Sequence, residues 1–168
     1  MDNITTLRAM EPEDLDVLYT LENDSTLWDI GPTNVPYSRY TLHDYIATSS
    51  DDIYADRQVR FMIENNEKQT VGIVDIVNFD PKNLRAELGM AILNSHRGNG
   101  YATDALTQVL RYAKRVLHLH QLYAYVADNN TPSLNLFSKC GFQVTAELTD
   151  WLYDGTQYHK AWLMQTFL

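Results

Sequence analysis

The chain has 168 residues, 45% of them hydrophobic and 21% charged, which fits one folded domain with a real core and excludes a disordered chain. No apolar run approaches the roughly 20 residues that cross a bilayer, and the single cysteine, Cys140, excludes an intrachain disulfide framework. With 13 Lys and Arg against 22 Asp and Glu, the formal net charge is −9, the wrong sign for a protein that binds nucleic acid by neutralising phosphates.

In chain order, residues 4–10 read as a short strand. Pro12 suits a first helical turn, Asp14 and Asp16 favour a helix N-terminus, and Leu15, Leu18, Tyr19 and Glu22 keep helical spacing, which predicts a helix over 12–23. Asp29-Ile30-Gly31-Pro32-Thr33-Asn34-Val35-Pro36 reads as a loop, and a second short helix is expected over 41–49. The period then changes. Residues 59–64 and 71–77 read as strands joined by a turn at 65–68, an antiparallel hairpin, and 86–93 as the next strand. Leu106, Val109, Leu110, Ala113 and Leu117 mark a helix over 101–117. A Tyr- and Val-rich strand over 121–127 follows, then a short helix over 132–139 ended by Gly141. Two strands, near 142–152 and 157–167, are joined by the hairpin signal Asp154-Gly155. The order β-α-α-β-β-β-α-β-α-β-β predicts a single α/β (α+β) domain over 1–168, a mixed sheet with helices packed on it.

The informative segment is Arg97-Gly98-Asn99-Gly100-Tyr101-Ala102, between a predicted strand and a predicted helix. Two glycines let the backbone turn tightly, and the helix N-terminus behind them adds unsatisfied N–H groups and partial positive charge. That combination suits a phosphate or pyrophosphate, with Arg97 able to add a charged contact, although a plain glycine-rich turn has the same spacing. Two common nucleotide loops do not fit. Thr103 stands where the Rossmann pattern needs a small residue, and the Gly-Lys-Ser/Thr of a P-loop is absent.

These six residues resemble the Arg/Gln-x-x-Gly-x-Gly/Ala motif of the GNAT N-acetyltransferase superfamily. Asn130-Thr131-Pro132-Ser133, followed by Phe137-Ser138-Lys139-Cys140-Gly141-Phe142, resembles that family's Asn-x-x-Ser…Lys-x-Gly-Phe segment at the expected distance. The likeness runs from about Thr6 to Leu163. It is greatest to bacterial spermidine/diamine acetyltransferases, through Arg60-Phe61-Met62-Ile63-Glu64, Ala86-Glu87-Leu88-Gly89 and Asp154-Gly155-Thr156-Gln157-Tyr158-His159. The resemblance implies a mostly antiparallel sheet of six to seven strands, a splayed central strand pair and about four flanking helices. It implies acetyl-CoA as co-substrate and no metal. The pantetheine would pair near Met90, Ala91 and Ile92, and the pyrophosphate would meet Arg97, Gly98, Asn99, Gly100, Tyr101 and Ala102. Asn130 and Ser133 match positions near the pantetheine and adenosine sides. The implied partner is a small-molecule amine such as a polyamine; the alternatives are a protein N-terminus, as in the ribosomal-protein N-acetyltransferases, or a coenzyme-A-binding sensor without catalysis.

An ammonium has no lone pair, so the reaction needs a proton acceptor. Glu87 alternates with Gly89 and Ala91, which puts one carboxylate among small residues on a strand face and makes it the candidate base. A solvent-facing or salt-bridged glutamate is the plain alternative. Asp75, on the neighbouring hairpin strand, is expected to share an amine-binding face with it. Many relatives carry a tyrosine at the position of Phe137, where its hydroxyl protonates the departing thiolate; Phe137 cannot. Tyr158 and Tyr101 are the available hydroxyls, with Tyr158 the candidate acid. Residues 1–60 carry 12 acidic and 4 basic side chains, against 10 and 9 in residues 61–168. The acidic first third therefore serves solubility or faces a cationic ligand. His118 and His120 have no neighbouring acidic or cysteine partners for a metal, and Cys140 reads as core. Trp151, Tyr153, Tyr158 and Trp162 read as core or subunit contact, the latter in a homo-oligomer. Met1-Asp2-Asn3-Ile4 lacks a secretory pattern, so a cytoplasmic protein with no membrane partner is expected.

Overall fold

The computed structural model describes residues 3–27 and 34–168. Seven strands form one sheet: β1 (Thr5–Arg8), β2 (Val59–Asn65), β3 (Thr70–Asp80), β4 (Arg85–Ile92), β5 (Gln121–Ala127), β6 (Gln143–Tyr153) and β7 (Tyr158–Phe167), in the order β1-β2-β3-β4-β5-β7-β6. Every neighbouring pair is antiparallel except β4 and β5, which run parallel. The α-helices are α1 (Leu15–Glu22), α2 (Arg39–Thr48), α3 (Ile53–Asp56), α4 (Tyr101–Arg115) and α5 (Thr131–Lys139). The helix expected over 12–23 is a 3-10 turn, Pro12–Asp14, running into α1. Helix α3 is one turn in a stretch whose sequence carries no apolar period. Asp52 caps it by accepting the Tyr54 N–H at 2.9 Å, and Arg57 ends it with φ +59. Of the expected loop over 29–36, residues 29–33 lie outside the described residues, and 34–36 are irregular.

Strand alternation sends the two faces of the sheet to different partners. On one face Val74 and Ile76 of β3 and Ala86 and Leu88 of β4 pack with Ala105, Leu106, Val109 and Ala113 of α4; Phe137 of α5 joins the same core. On the other, Met62 of β2 and Ile73 of β3 pack with Leu18 and Leu21 of α1 and Leu42 of α2. Cys140 packs against the first core, where burial pushes its thiol pKa up. The N-terminal strand is clamped at both ends. Asp104 of α4 accepts from Thr5 N–H at 2.9 Å and Thr5 Oγ1 at 2.6 Å. Arg8 makes a two-pronged contact to Asp14 at 2.7 and 2.8 Å and reaches Glu64 at 2.9 Å.

Candidate functional site

The site begins where the sheet comes apart. Strand β4 pairs with β3 from Arg85 to Ile92, yet with β5 only at Arg85↔Gln121, Ala86↔Leu122 and Glu87↔Tyr123. Beyond Glu87 the two strands diverge, while β5 stays paired with β7 as far as Ala127↔Ala161. The result is a V-shaped notch whose walls are strand edges. Main-chain groups on such edges need partners, and an extended chain carrying amides can supply them. Met90, Ala91 and Ile92 all lie on the β4 wall, past the point of divergence.

Above the open end of the notch the chain makes a 3-10 turn, Asn94–His96, and enters α4 through Gly98 and Gly100, both at φ +81. A Cβ on Gly98 would meet nothing within 4 Å, and one on Gly100 would lie 3.6 Å from Ile4 Cδ1. The left-handed backbone, rather than space, is therefore what requires glycine at these positions. Gly100 is the N-cap of α4 and offers no side chain to cap it, so the first N–H groups of a 15-residue helix face outward with its positive dipole end. Asn99 braces the turn, donating from Nδ2 to the His96 carbonyl at 3.0 Å, and Arg97 Nε donates to the Ile92 carbonyl at 3.0 Å. Tyr101 turns its ring toward the core, and Ala102 follows it in the first turn of α4.

The short helix α5 begins beside the far wall. Asn130 is its N-cap, accepting from the Ser133 N–H at 3.2 Å. Both residues thus hold the helix start in place, a structural task the motif alone did not reveal. Phe137 is 6% exposed and lies edge-on to Phe142 at 4.9 Å, within the α4-side core. Just past β5, Asp128 donates its N–H to the Lys160 carbonyl at 3.2 Å, and its Oδ1 is a buried acceptor without a hydrogen-bond partner among the described residues.

Glu87 sits at the apex of the notch. In antiparallel pairing, opposed residues share a face; Arg60, Asp75 and Gly89 form one row across β2, β3 and β4, and Val77 and Glu87 the next. Asp75 and Glu87 therefore share the face that α1 and α2 stand over, as the alternation implied. Their partners differ. Both Asp75 oxygens are taken by Arg60, at 2.7 and 2.8 Å, and the same guanidinium reaches Glu22 of α1 at 2.6 Å. Burial opposes the charge on Arg60, but the hydrogen bonds and fields of Asp75 and Glu22 outweigh it and hold its pKa above the ordinary value. Glu87 Oε2 instead accepts from the neutral Asn78 amide at 2.6 Å. Asn78 has φ +50 and lies in a bulge between Val77 and Asp80, which re-aims its side chain toward Glu87. Beside Glu87, the Tyr123 hydroxyl is pushed above its ordinary pKa, first by burial and then by the Glu87 charge.

The structure does not bring Tyr158 to this apex. The β7 residue level with Glu87 across β5 is Gln165, and Tyr158 is seven residues away along the strand, roughly 23 Å at 3.3 Å per residue. It is 62% exposed and rests against Tyr153 at 5.0 Å. The sequence reading missed three participants. Glu22 and Asn78 reach the site through a tertiary ion pair and a bulge, and neither leaves a sequence period. Tyr123 was within reach, since its alternation with Leu122 and Ala124 puts it on the Glu87 face. Among the described residues, no group of three or more His, Cys, Asp or Glu could hold a metal ion, and no helix is long and apolar enough to cross a membrane.

Residues 5–143 match the family model for the acetyltransferase (GNAT) domain. The spermidine N(1)-acetyltransferase of Vibrio cholerae is 26% identical over 158 residues, covering 94% of this chain and 90% of that protein. A crystal structure of spermidine N-acetyltransferase from Vibrio cholerae in complex with CoA and spermine superposes with a TM-score of 0.86 at 26% identity, covering 98% of this chain and 95% of that one. The uS5 ribosomal-protein alanine N-acetyltransferase of Escherichia coli is 28% identical over 92 residues, 54% of this chain and 47% of that protein.

Proposed function

The chain belongs to the GNAT acetyltransferase family, and from that premise we propose that it transfers the acetyl group of acetyl-CoA to a primary amine of a polyamine. The observation that carries the acceptor side is Glu87. It is a carboxylate whose hydrogen-bond partner is a neutral amide, at the apex of the notch and on the face that the acid-rich first third covers. Two features fit acetyl-CoA independently of motif. The wall formed by Met90, Ala91 and Ile92 suits the amides of a pantetheine, and the uncapped start of α4, with Arg97, Gly98, Asn99, Gly100, Tyr101 and Ala102, suits a pyrophosphate. Bound acetyl-CoA supplies the activated thioester carbonyl.

The chain's own residues then have four tasks. Asn130 and Ser133 fix the start of α5 along the other wall. Asp75 and Glu22 together carry one more negative charge than Arg60 balances, so their field favours a cationic acceptor. Asn78 orients Glu87 through Oε2, leaving Oε1 to meet the reacting nitrogen. Glu87 takes the proton the ammonium must lose, directly or through water, before the nitrogen can attack. No acid role is needed for Tyr158: a thiol of pKa near 8.5 leaves as its thiolate at neutral pH without a donor, which accounts for an apolar ring at Phe137. The more extensive likeness to polyamine enzymes supports this acceptor over a protein N-terminus, and the oriented Glu87 argues against a sensor without catalysis.

The test is Glu87→Gln, which keeps size and hydrogen bonding but cannot accept a proton. Turnover of a polyamine should fall about 10²-fold or more at neutral pH while acetyl-CoA binding holds, and the loss should shrink at high pH, where more amine is already neutral. Wild-type turnover at neutral pH would remove Glu87 as the base.

A further inference from the structure

Past Glu87, β4 has lost β5 and keeps only β3 as a strand partner: Met90 faces Val74, Ala91 faces Ile73 and Ile92 faces Gly72. The position of the β4 wall is therefore set from one side. Leu93 N–H donates to the Val71 carbonyl at 2.9 Å, so Gly72 and Ile92, the next pair along, are a non-hydrogen-bonded pair. In such pairs the opposed residues of an antiparallel ladder stand closest.

Gly72 is buried, and its φ lies outside the left-handed region occupied by Gly98 and Gly100. What requires glycine here is close approach. A Cβ on Gly72 would run into the Ala91 carbonyl oxygen, and would lie 2.8 Å from Ile92 Cδ1 and 3.1 Å from Ile92 Cα. Carbon atoms in good contact are about 3.5–4.0 Å apart. The β4 glycine level with Asp75 makes the contrast, since a Cβ on Gly89 would meet nothing within 4 Å.

The strand beneath is bent at the same place. Ile63 of β2 faces Gly72 but Glu64 faces Thr70, which leaves Val71 as the extra residue of a bulge. A bulge bends its strand and increases the local twist. The end of β4 follows that bend and settles onto β3 at the one residue without a side chain. Strand β3 itself has nowhere to go. It is paired on both edges, and Val71, Ile73 and Val74 are at most 6% exposed between the two cores. A side chain at position 72 would therefore displace β4, whose other edge is the open notch.

We propose that Gly72 is a positioning residue for the coenzyme. By letting Ala91 and Ile92 lie against β3, it holds the β4 wall back and sets the width of the notch that receives the pantetheine. The proposal rests on the coenzyme reading of the notch and names what fixes the wall.

The test measures binding of coenzyme A and of ADP, which keeps the pyrophosphate but lacks the pantetheine, by calorimetry. The proteins are wild type, Gly72→Ala, Ile92→Val and the double variant. In Gly72→Ala the Kd for coenzyme A should rise about tenfold, while the Kd for ADP and the KM for spermidine stay within about twofold. Ile92→Val removes Cδ1 but leaves the Ala91 carbonyl in the way, so the double variant should bind coenzyme A about as weakly as Gly72→Ala. The double variant also decides the matter, against Ile92→Val alone, if Gly72→Ala does not fold. Wild-type affinity in a folded Gly72→Ala, an equal loss for ADP, or affinity restored by Ile92→Val overturns the proposal. If neither protein carrying Gly72→Ala folds, Gly72 serves folding and the proposal is wrong. Wild-type protein that does not bind coenzyme A overturns the coenzyme reading itself, and the role of Gly72 with it.

Discussion

Glu87 and Asp75 are both acids on one face, yet their surroundings give them different work. A guanidinium takes both oxygens of Asp75, which leaves it a source of field rather than a proton acceptor. Glu87 is oriented by an amide and keeps an oxygen to offer. Phe137 makes the complementary point about the leaving group. If the thiolate needs no acid, Phe137→Tyr should change turnover by no more than about twofold with coenzyme binding intact; a larger fall would mean that the apolar ring shapes the pocket and that another group protonates the sulfur. A second acid illustrates linkage. Burial works against the charge on Asp14, but hydrogen bonds from Arg8 and the Glu11 N–H outweigh it and hold its pKa below the ordinary value. Its stabilising contribution is therefore complete above about pH 4, the ordinary aspartate range, and is lost as pH falls through the lowered value. Urea midpoints across acid pH should drop more steeply for wild-type protein than for Asp14→Asn; parallel curves would mean the pair does not stabilise the fold. At this scale strand alternation was enough to put Glu87 and Asp75 on one face of the sheet. It could not find Arg60 as the partner of Asp75, or Glu22 on the other side of that guanidinium, because ion pairs between β2, β3 and α1 leave no local period.

Elements supply the geometry that no residue has alone. The notch exists because β4 and β5 share only three register pairs, and α4 presents its start above it because two left-handed glycines turn the chain. This makes Gly100 a test of backbone rather than of bulk. Gly100→Val forces a β-branched residue to φ +81 and should weaken acetyl-CoA binding at least about tenfold, or about 1.4 kcal/mol. Gly100→Asn, whose side chain tolerates the left-handed region better, should lose less. If both variants remain folded and bind by calorimetry as wild type does, the loop is not part of the coenzyme site. Long, strongly periodic elements were legible in the sequence: the strand over 121–127 was expected at the bounds it has, and α4 was expected within two residues of its end. Helix α3 and the bulge at Asn78 were not, since a one-turn helix has no period and a bulge is set by the partner strand. The splay itself was implied only by family resemblance, because divergence of two strands depends on what their neighbours pair with.

Over the whole molecule, a formal charge of −9 would attract any polycation, and the fold decides where that attraction acts. The acid-rich first third supplies α1 and α2, and these stand over the Glu87 face rather than over the α4-side core. The sequence showed the imbalance, while its direction depended on which face of the sheet those helices cover. The most direct test of the account is the initial rate of thiol release from acetyl-CoA with spermidine, a neutral amine of similar length and a peptide beginning with alanine, each at low and high salt. The account predicts a kcat/KM for spermidine at least about tenfold above either competitor, and a spermidine KM that rises with salt as the acidic face is screened. A preference for the peptide, or no thiol release with any amine from protein that binds coenzyme A, would contradict it.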